Sequence, residues 1–160
     1  MNTATMRLTS TLAFTLLLWI ANAAPAAADE VASFATGGYA SGLRTKDTMH
    51  KMDANGDGMV SKDEWMSFQN KMFDALDKDK SGSLDEAEFT GPFNENLAFA
   101  TATYAHGLMT KSMFTKIDTN GDGKISRDEF LAYHHKIFDM LDKQKKGMVG
   151  LVDFIRPAGT

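Results

Sequence analysis

Apolar residues recur at helical intervals in two stretches of the chain, which are separated by polar segments. The first stretch covers residues 65–76 and carries Trp65, Phe68, Met72, Phe73 and Leu76. The second covers residues 130–141 and carries Phe130, Leu131, Ile137, Phe138 and Leu141. Neither stretch contains proline or glycine. Each therefore predicts one amphipathic helix, about 18 Å long, with its apolar face toward a core.

The polar segments on either side of these helices repeat along the chain. The four segments begin at Asp53, Asp77, Asp118 and Asp142, so that corresponding starts lie 65 residues apart. Outside the segments, Tyr39-x-x-Gly42-Leu43 recurs as Tyr104-x-x-Gly107-Leu108, and Phe89 with Pro92 recurs as Phe154 with Pro157. The repeat predicts two duplicated halves, residues 41–93 and 106–157. Residues 94–105 between them are either a linker or a helical extension.

Three of the segments carry oxygen-bearing residues at the spacing of a calcium-binding loop. Calcium binds six to eight oxygens, and a twelve-residue loop supplies them from positions 1, 3, 5, 7, 9 and 12, with a backbone carbonyl at position 7. Glycine at position 6 allows the sharp turn that such a loop needs. The predicted ligands are Asp53, Asn55, Asp57, Met59, Ser61 and Glu64 in loop 1 (Asp53–Glu64); Asp77, Asp79, Ser81, Ser83, Asp85 and Glu88 in loop 2 (Asp77–Glu88); and Asp118, Asn120, Asp122, Lys124, Ser126 and Glu129 in loop 3 (Asp118–Glu129).

The fourth segment, loop 4 (Asp142–Asp153), keeps the frame but loses the ligands. Gln144, Lys146 and Gly150 stand at positions 3, 5 and 9. With Lys143 and Lys145 the loop carries three positive charges and two negative ones, which disfavours a cation. We predict a vestigial loop that pairs with loop 3 of the same half, with Val149 opposite Ile125.

These motifs resemble those of the EF-hand family across the chain that follows the N-terminal segment. The resemblance implies an all-α fold of two EF-hand pairs, in which helix–loop–helix units are joined in pairs by short β-bridges. It also implies reversible binding of Ca²⁺, here at about three sites.

A second resemblance is to lanmodulin, a periplasmic protein that selects lanthanides. It rests on the export signal that the N-terminal segment resembles, the small size, the paired loops and the twelve residues between them. That family has proline at loop position 2 and an acid at position 9. Here position 2 holds Ala54, Lys78, Thr119 and Lys143, and only Asp85 in loop 2 is an acid at position 9. Calcium is the expected ion because each site has only three or four carboxylates, and lanthanide binding stays open as an alternative.

The methionines are compatible with two roles for the calcium-bound protein. Seven of them fall on predicted helices, namely Met49, Met52, Met66, Met72, Met109, Met113 and Met140. A calcium sensor opens a groove rich in Met and Phe to a partner protein. Alternatively, these side chains fill the cores of a buffer or of a module stabilised by metal.

Histidines are the only candidates for catalysis that the sequence offers. They are His50, His106, His134 and His135. Neighbouring helical residues point about 100° apart, so the adjacent pair cannot share one ligand face. We therefore expect no enzyme activity.

Charge and the N-terminal segment limit the partners and the compartment. The net charge of −4 and the pI near 5.5 do not indicate a basic surface that binds nucleic acid. The absence of cysteine excludes disulfides and thiolate metal sites. Arg7 precedes the apolar stretch Leu12–Ile20 and an alanine-rich stretch, residues 21–28, which is typical of a signal peptide. We predict cleavage after residue 28, although Ala21 and Ala23 offer a second site. We also predict a flexible N-terminus over residues 29–40 and export to the periplasm or the medium. The apolar stretch is too short to span a membrane. We therefore expect the protein to have no membrane association after cleavage.

Overall fold

The computed structural model describes residues 38–155, which form helices joined by four loops that each contain a short strand. The first half contains α1 (Gly38–Leu43), α2 (Lys46–Met52), β1 (Met59–Ser61), α3 (Lys62–Leu76), β2 (Ser83–Asp85) and α4 (Glu86–Phe89), followed by the 3-10 helix Glu95–Leu97. The second half contains α5 (Ala102–Leu108), α6 (Lys111–Ile117), β3 (Lys124–Ser126), α7 (Arg127–Leu141), β4 (Met148–Gly150) and α8 (Leu151–Ile155). The predicted helical fold with two short strand pairs is confirmed.

The predicted signal peptide and most of the predicted flexible N-terminus lie outside the described residues. Within residues 38–155, none of the helices has both the length and the apolar content that crossing a bilayer requires.

The two long helices begin three residues earlier than their apolar pattern predicts, at Lys62 and Arg127. The cause is an N-terminal cap at loop position 9. Ser61 Oγ accepts a hydrogen bond from the Glu64 backbone N–H at 3.2 Å, and the corresponding serine of loop 3 caps α7 in the same way. Such a cap satisfies an amide that the helix itself leaves without a partner. The exit helix therefore starts inside the loop, and the glutamate at position 12 stands in its first turn.

The loops pair across the two halves, and the predicted pairing within each half is wrong. Strand β1 runs antiparallel to β4, with Val60 opposite Val149, and β2 runs antiparallel to β3, with Leu84 opposite Ile125. The physical reason is the length of α3 and α7. Each has fifteen residues, about 22 Å of helix, and this holds the two loops of one half apart. Each loop therefore finds its partner in the other half.

Helices α3 and α7 pack against each other through two equivalent pairs of rings. The ring centroids of Trp65 and Phe138 are 5.8 Å apart, and those of Phe73 and Phe130 are 5.6 Å apart. The repeat of 65 residues converts one pair into the other, so the start of each helix lies beside the end of its partner. Buried side chains of both halves form one hydrophobic core.

Helices α1 and α5 cross at glycines that the repeat also relates. A Cβ atom on Gly42 would overlap the carbonyl oxygen of Thr103, and a Cβ atom on Gly107 would overlap that of Gly38. Glycine is therefore required at both places by the close approach of the two backbones. The crossing brings the Tyr104 hydroxyl to Gln69 Oε1 of α3, which accepts its hydrogen bond at 2.8 Å.

Replacing either crossing glycine by alanine should destabilise the protein. For Gly42→Ala or Gly107→Ala we expect a loss of about 1–3 kcal/mol in the free energy of unfolding, the usual cost of overpacking. Denaturant unfolding of the calcium-saturated protein measures it. Gly38→Ala is the matched control, since its Cβ would be 3.8 Å from the nearest backbone atom, an ordinary contact. Equal losses for all three variants would contradict this account of the crossing.

Candidate functional site

The aspartate at position 1 organises each intact loop by accepting backbone N–H groups. In loop 1, Asp53 Oδ1 accepts from Gly56 N at 2.8 Å, and Oδ2 accepts from Gly58 N at 2.9 Å. Gly58 has a φ of +83°, a conformation that residues with a Cβ rarely adopt. Asn55 Oδ1 accepts from Asp57 N and Asp57 Oδ1 accepts from Met59 N, both at 2.8 Å, so the side chains at positions 1, 3 and 5 turn into the same loop.

The glutamate at position 12 closes the loop by bonding to both of its ends. Glu64 Oε1 accepts from the N–H groups of Ala54 and Asn55, both at 3.1 Å, and Oε2 accepts from Ser61 N at 2.9 Å and Ser61 Oγ at 2.8 Å. These bonds, led by the one from the Ser61 backbone, lower the pKa of Glu64. The side chain is therefore held as a carboxylate directed toward the loop.

Loop 3 repeats this arrangement with the same partners. Glu129 Oε1 accepts from the N–H of Thr119 at 3.0 Å and of Asn120 at 3.2 Å, while Oε2 accepts from Ser126 N at 3.0 Å. The bond from the Ser126 backbone is the largest of the effects that lower the pKa of Glu129 to about 2. Asn120 also donates through Nδ2 to Asp122 Oδ2 at 3.0 Å, which joins positions 3 and 5.

Loop 2 brings three carboxylates closest together within the described residues. Oxygens of Asp77, Asp79 and Glu88 all lie within 4.8 Å of one another, a cluster that can hold a cation. Bonds from the side chain and backbone of Ser81 lower the pKa of Asp79. A fourth carboxylate, Asp85 at position 9, accepts from Glu88 N at 2.8 Å and caps α4. This donor set of hard oxygens suits calcium.

The remaining predicted ligands lie where the loops enter their strands and exit helices. The carbonyls at position 7 belong to Met59, Ser83 and Lys124, which are the first residues of β1, β2 and β3. In loop 2 the Ser83 carbonyl accepts from Ser81 Oγ at 2.9 Å. The structure thus gathers the eighteen predicted ligands into three loops, and their role in coordination stays a prediction.

Loop 4 keeps the position 1 part of this arrangement and half of the position 12 part. Asp142 accepts from Lys146 N at 2.9 Å and from Gly147 N at 2.7 Å. Asp153, one methylene shorter than glutamate, accepts from Gly150 N at 2.9 Å and makes no bond to the start of the loop among the described contacts. Loop 4 instead supports loop 1, since its Gly147 carbonyl accepts from Lys62 N at 3.0 Å. This contact could not be predicted from the sequence, because it joins two loops of different halves.

Methionines and histidines, the other candidates, take mainly structural places. Met49, Met52 and Met72 are buried in the core, and the other four named methionines pack against it half-buried. His134 is buried with Nδ1 at 2.8 Å from the Phe130 carbonyl, while His135 is exposed and lies 3.3 Å from Asp139.

Comparisons with known proteins agree with these loops. A family model described as an EF-hand domain pair matches residues 69–134, and one described as an EF hand matches residues 45–69. Calcium-binding protein LPS1-beta of Lytechinus pictus is 28% identical, over 63% of this chain and 47% of its own length. Parvalbumin beta of Graptemys geographica is 44% identical and that of Amphiuma means 42%, each over 39% of this chain and 56% of its own. The chain thus spans about half the length of these curated relatives.

Proposed function

Because the chain belongs to the EF-hand family of calcium-binding proteins, we propose that loops 1, 2 and 3 each bind one calcium ion and that loop 4 binds none. The observation that carries this proposal is the closing glutamate. Glu64, Glu88 and Glu129 each bond to amides at both ends of their loop. In loop 4, Asp153 bonds near its own end alone within the described contacts.

The chemistry at each loop is the gathering of like charges around one cation. Loops 1 and 3 contribute three ligand carboxylates each and loop 2 contributes four. These groups repel one another, and a divalent ion supplies the charge that offsets the repulsion. The residues of the chain hold the oxygens in place through backbone N–H groups. The loop is thus organised for a cation by bonds that do not depend on one.

Calcium binding in this protein serves buffering or stabilisation, and a protein partner is the alternative. Met49, Met52 and Met72 fill the core in this structure, which fits a stabilising role, whereas a sensor must expose apolar surface when it is loaded. In addition, the strand pairs join loops of different halves, so calcium would stabilise the whole core rather than one end. A bound ion that the unfolded chain does not hold adds to folding stability.

A calcium titration of the metal-stripped protein tests the number of sites. For a chain that starts at Asp29, calorimetry should count three calcium sites, and Trp65 emission should report loop 1. Trp65 suits this use because it follows Glu64 directly and is fully buried, with its indole N–H donating to the His134 carbonyl at 3.0 Å. Glu64→Gln should weaken the loop 1 site at least about tenfold, since it removes a ligand charge.

Replacing the position 12 acid of loop 4 gives the matched control. Asp153→Asn should leave the number of sites at three, because loop 4 binds no ion. A fourth site lost in Asp153→Asn would overturn the assignment of loop 4. New binding of an apolar-surface dye upon calcium loading would overturn the choice of buffer and favour the partner-binding sensor.

Lanthanide binding is the second candidate, and loop 2 favours it. Trivalent ions reward ligand charge more strongly than calcium does, and loop 2 offers four carboxylates, three of them with oxygens within 4.8 Å of one another. A lanthanide included in the same titration distinguishes the two ions. Affinity far above that for calcium, in loop 2 first, would make the lanthanide the proper ligand.

We further propose that the protein is exported after removal of residues 1–28. This rests on the apolar and alanine-rich pattern of that segment in the sequence. The mass of the protein recovered from the producing cells tests it, because cleavage at the proposed place leaves Asp29 as the first residue. An uncut chain that stays inside the cells would contradict it.

A further inference from the structure

An open groove of about 560 Å³ lies beside loop 2. The end of α3, the start of loop 2 and the segment around the 3-10 helix enclose it, and three lysines line it, Lys71, Lys78 and Lys80. Phe99 and Ala75 contribute apolar surface, and Asn96 contributes a side-chain amide. Its volume falls within the range of small-molecule sites, about 300–1,000 Å³.

The acidic side chains that also line the groove are engaged elsewhere. Asp74 forms an ion pair with Arg127 at 2.6 Å. Asp77 accepts the N–H groups of Ser81 and Gly82, both at 3.0 Å, as the position 1 residue of loop 2. By contrast, no ion pair within residues 38–155 involves any of the three lysines. The groove therefore carries positive charge that the described part of the chain leaves available.

Lys80 occupies a backbone position that favours glycine. It stands at loop position 4 with a φ of +57°, as Lys145 does in loop 4 at +53°, whereas loops 1 and 3 have Gly56 and Gly121 there, at +72° and +71°. A residue with a Cβ adopts this conformation at a cost, so local backbone preference does not account for the lysine. Its charge does contribute to the groove.

We propose that this groove binds a small polycarboxylate anion. Lys71, Lys78 and Lys80 pair with its carboxylates, Asn96 donates a hydrogen bond to it, and the Phe99 ring covers its carbon skeleton. Several carboxylates are needed because three separate ammonium groups line an open groove, where a single ion pair contributes little.

Anion and calcium should bind cooperatively, a step that rests on the proposed function of loop 2. Asp77 belongs both to the groove and to the predicted ligands, so the two ligands would lie close together with opposite charges. Coupling of this kind is reciprocal, and each ligand raises the affinity of the other by the same factor. Without the anion, the positive charges of the lysines lower the affinity of loop 2 for calcium. The bound anion offsets this repulsion.

The probe for this site is tricarballylate, a tricarboxylate without the hydroxyl group that strengthens metal chelation. In NMR titrations of the calcium-saturated protein, we expect it to shift the signals of residues 71–80 and the Asn96 side-chain amide. Acetate at equal ionic strength should not. Lys71→Gln/Lys78→Gln/Lys80→Gln should weaken binding at least about tenfold, because it removes all three ammonium groups.

The internal repeat supplies the control variant, since Lys136, Lys143 and Lys145 take the equivalent places beside loop 4. Lys136→Gln/Lys143→Gln/Lys145→Gln changes the net charge equally and should leave tricarballylate binding unchanged. Equal loss in both variants, or shifts of the same size with acetate, would overturn the proposal. A calcium titration without the anion tests calcium binding separately from anion binding. In that titration Lys71→Gln/Lys78→Gln/Lys80→Gln should still bind three calcium ions, with somewhat higher affinity at loop 2. A failure to bind calcium would refute the proposed function and not the anion site.

Discussion

Replacing Glu88 by glutamine should weaken two calcium sites, those of loops 2 and 3, and leave loop 1 unchanged. In loop 2 the variant loses the charge that closes the loop, and Lys78 N and Asp85 N lose their carboxylate acceptor. We expect about a hundredfold loss of affinity there, equivalent to about 2.7 kcal/mol. In loop 3 we expect a smaller loss of about fivefold or more, the low end of coupling between linked sites.

The coupling follows from the contacts between loops 2 and 3. Their strands pair over three residues, with Leu84 and Ile125 fully buried against each other. The exit helix of loop 2 also contacts the entry helix of loop 3, where the Phe89 and Phe114 rings lie 5.8 Å apart. A change in the closure of one loop therefore moves the backbone of the other.

Glu64→Gln is the control, because loop 1 pairs with loop 4, which lacks the ligands of a second site. It should weaken one site alone. Calorimetry of both variants, with Trp65 emission assigned to loop 1, distinguishes the two patterns. If Glu88→Gln changed loop 2 alone, or if Glu64→Gln weakened loops 2 and 3 as strongly as loop 1, the strand pairing would not transmit binding.

The sequence predicted the loops and the long helices because local patterns determine both. A glycine at position 6, with acids and amides at fixed spacing, requires one kind of turn, and the structure forms it at Gly58, Gly82 and Gly123. Apolar residues at helical spacing likewise predicted α3 and α7. The starts of these helices were missed because a serine cap extends each helix into the loop before it, where the residues read as ligands.

The pairing of the loops could not be predicted from the repeat alone, since duplication suggests that neighbours in sequence pair in space. The sequence nevertheless contained evidence against pairing between the two loops of one half. A twelve-residue gap without proline or glycine predicts a continuous helix, and such a helix separates the two loops that it joins. The Gly42 and Gly107 crossing was also visible as a repeated motif. Its role depends on the close approach of two backbones, which no local pattern reveals.

The adjacent pair His134 and His135 shows the same limit, since only the fold determines that one is buried and the other exposed. His134 Nδ1 must donate to the Phe130 carbonyl, because a carbonyl only accepts. Its Nε2 is then a buried atom without a hydrogen-bond partner in the described structure. Aromatic rings of Tyr39, Phe130 and Tyr133 surround the imidazole. Burial lowers the pKa of His134 to about 4, only partly opposed by the Phe130 bond.

This shift should make the protein less stable in mild acid. The unfolded chain protonates His134 near pH 6.5, whereas the folded protein does so only near pH 4. Between these values the unfolded state binds the extra proton, so the stabilisation present above pH 6.5 is lost as the pH falls. Between pH 7 and pH 5 we expect a loss of about 2 kcal/mol from this residue. The carboxylates with lowered pKa, Glu64, Asp79 and Glu129, act mainly at lower pH.

Denaturant unfolding at pH 7 and pH 5 in saturating calcium measures the loss, and His134→Gln should remove most of it. Glutamine keeps a donor for the Phe130 carbonyl but has no group that titrates in this range. His135→Gln is the matched control, since that side chain is exposed and should leave the dependence on pH nearly unchanged. If the two variants lost the same amount of stability on acidification as the original protein, the proton that destabilises the fold would bind elsewhere. If His134→Gln alone became insensitive to pH, one buried imidazole between the halves would account for the effect.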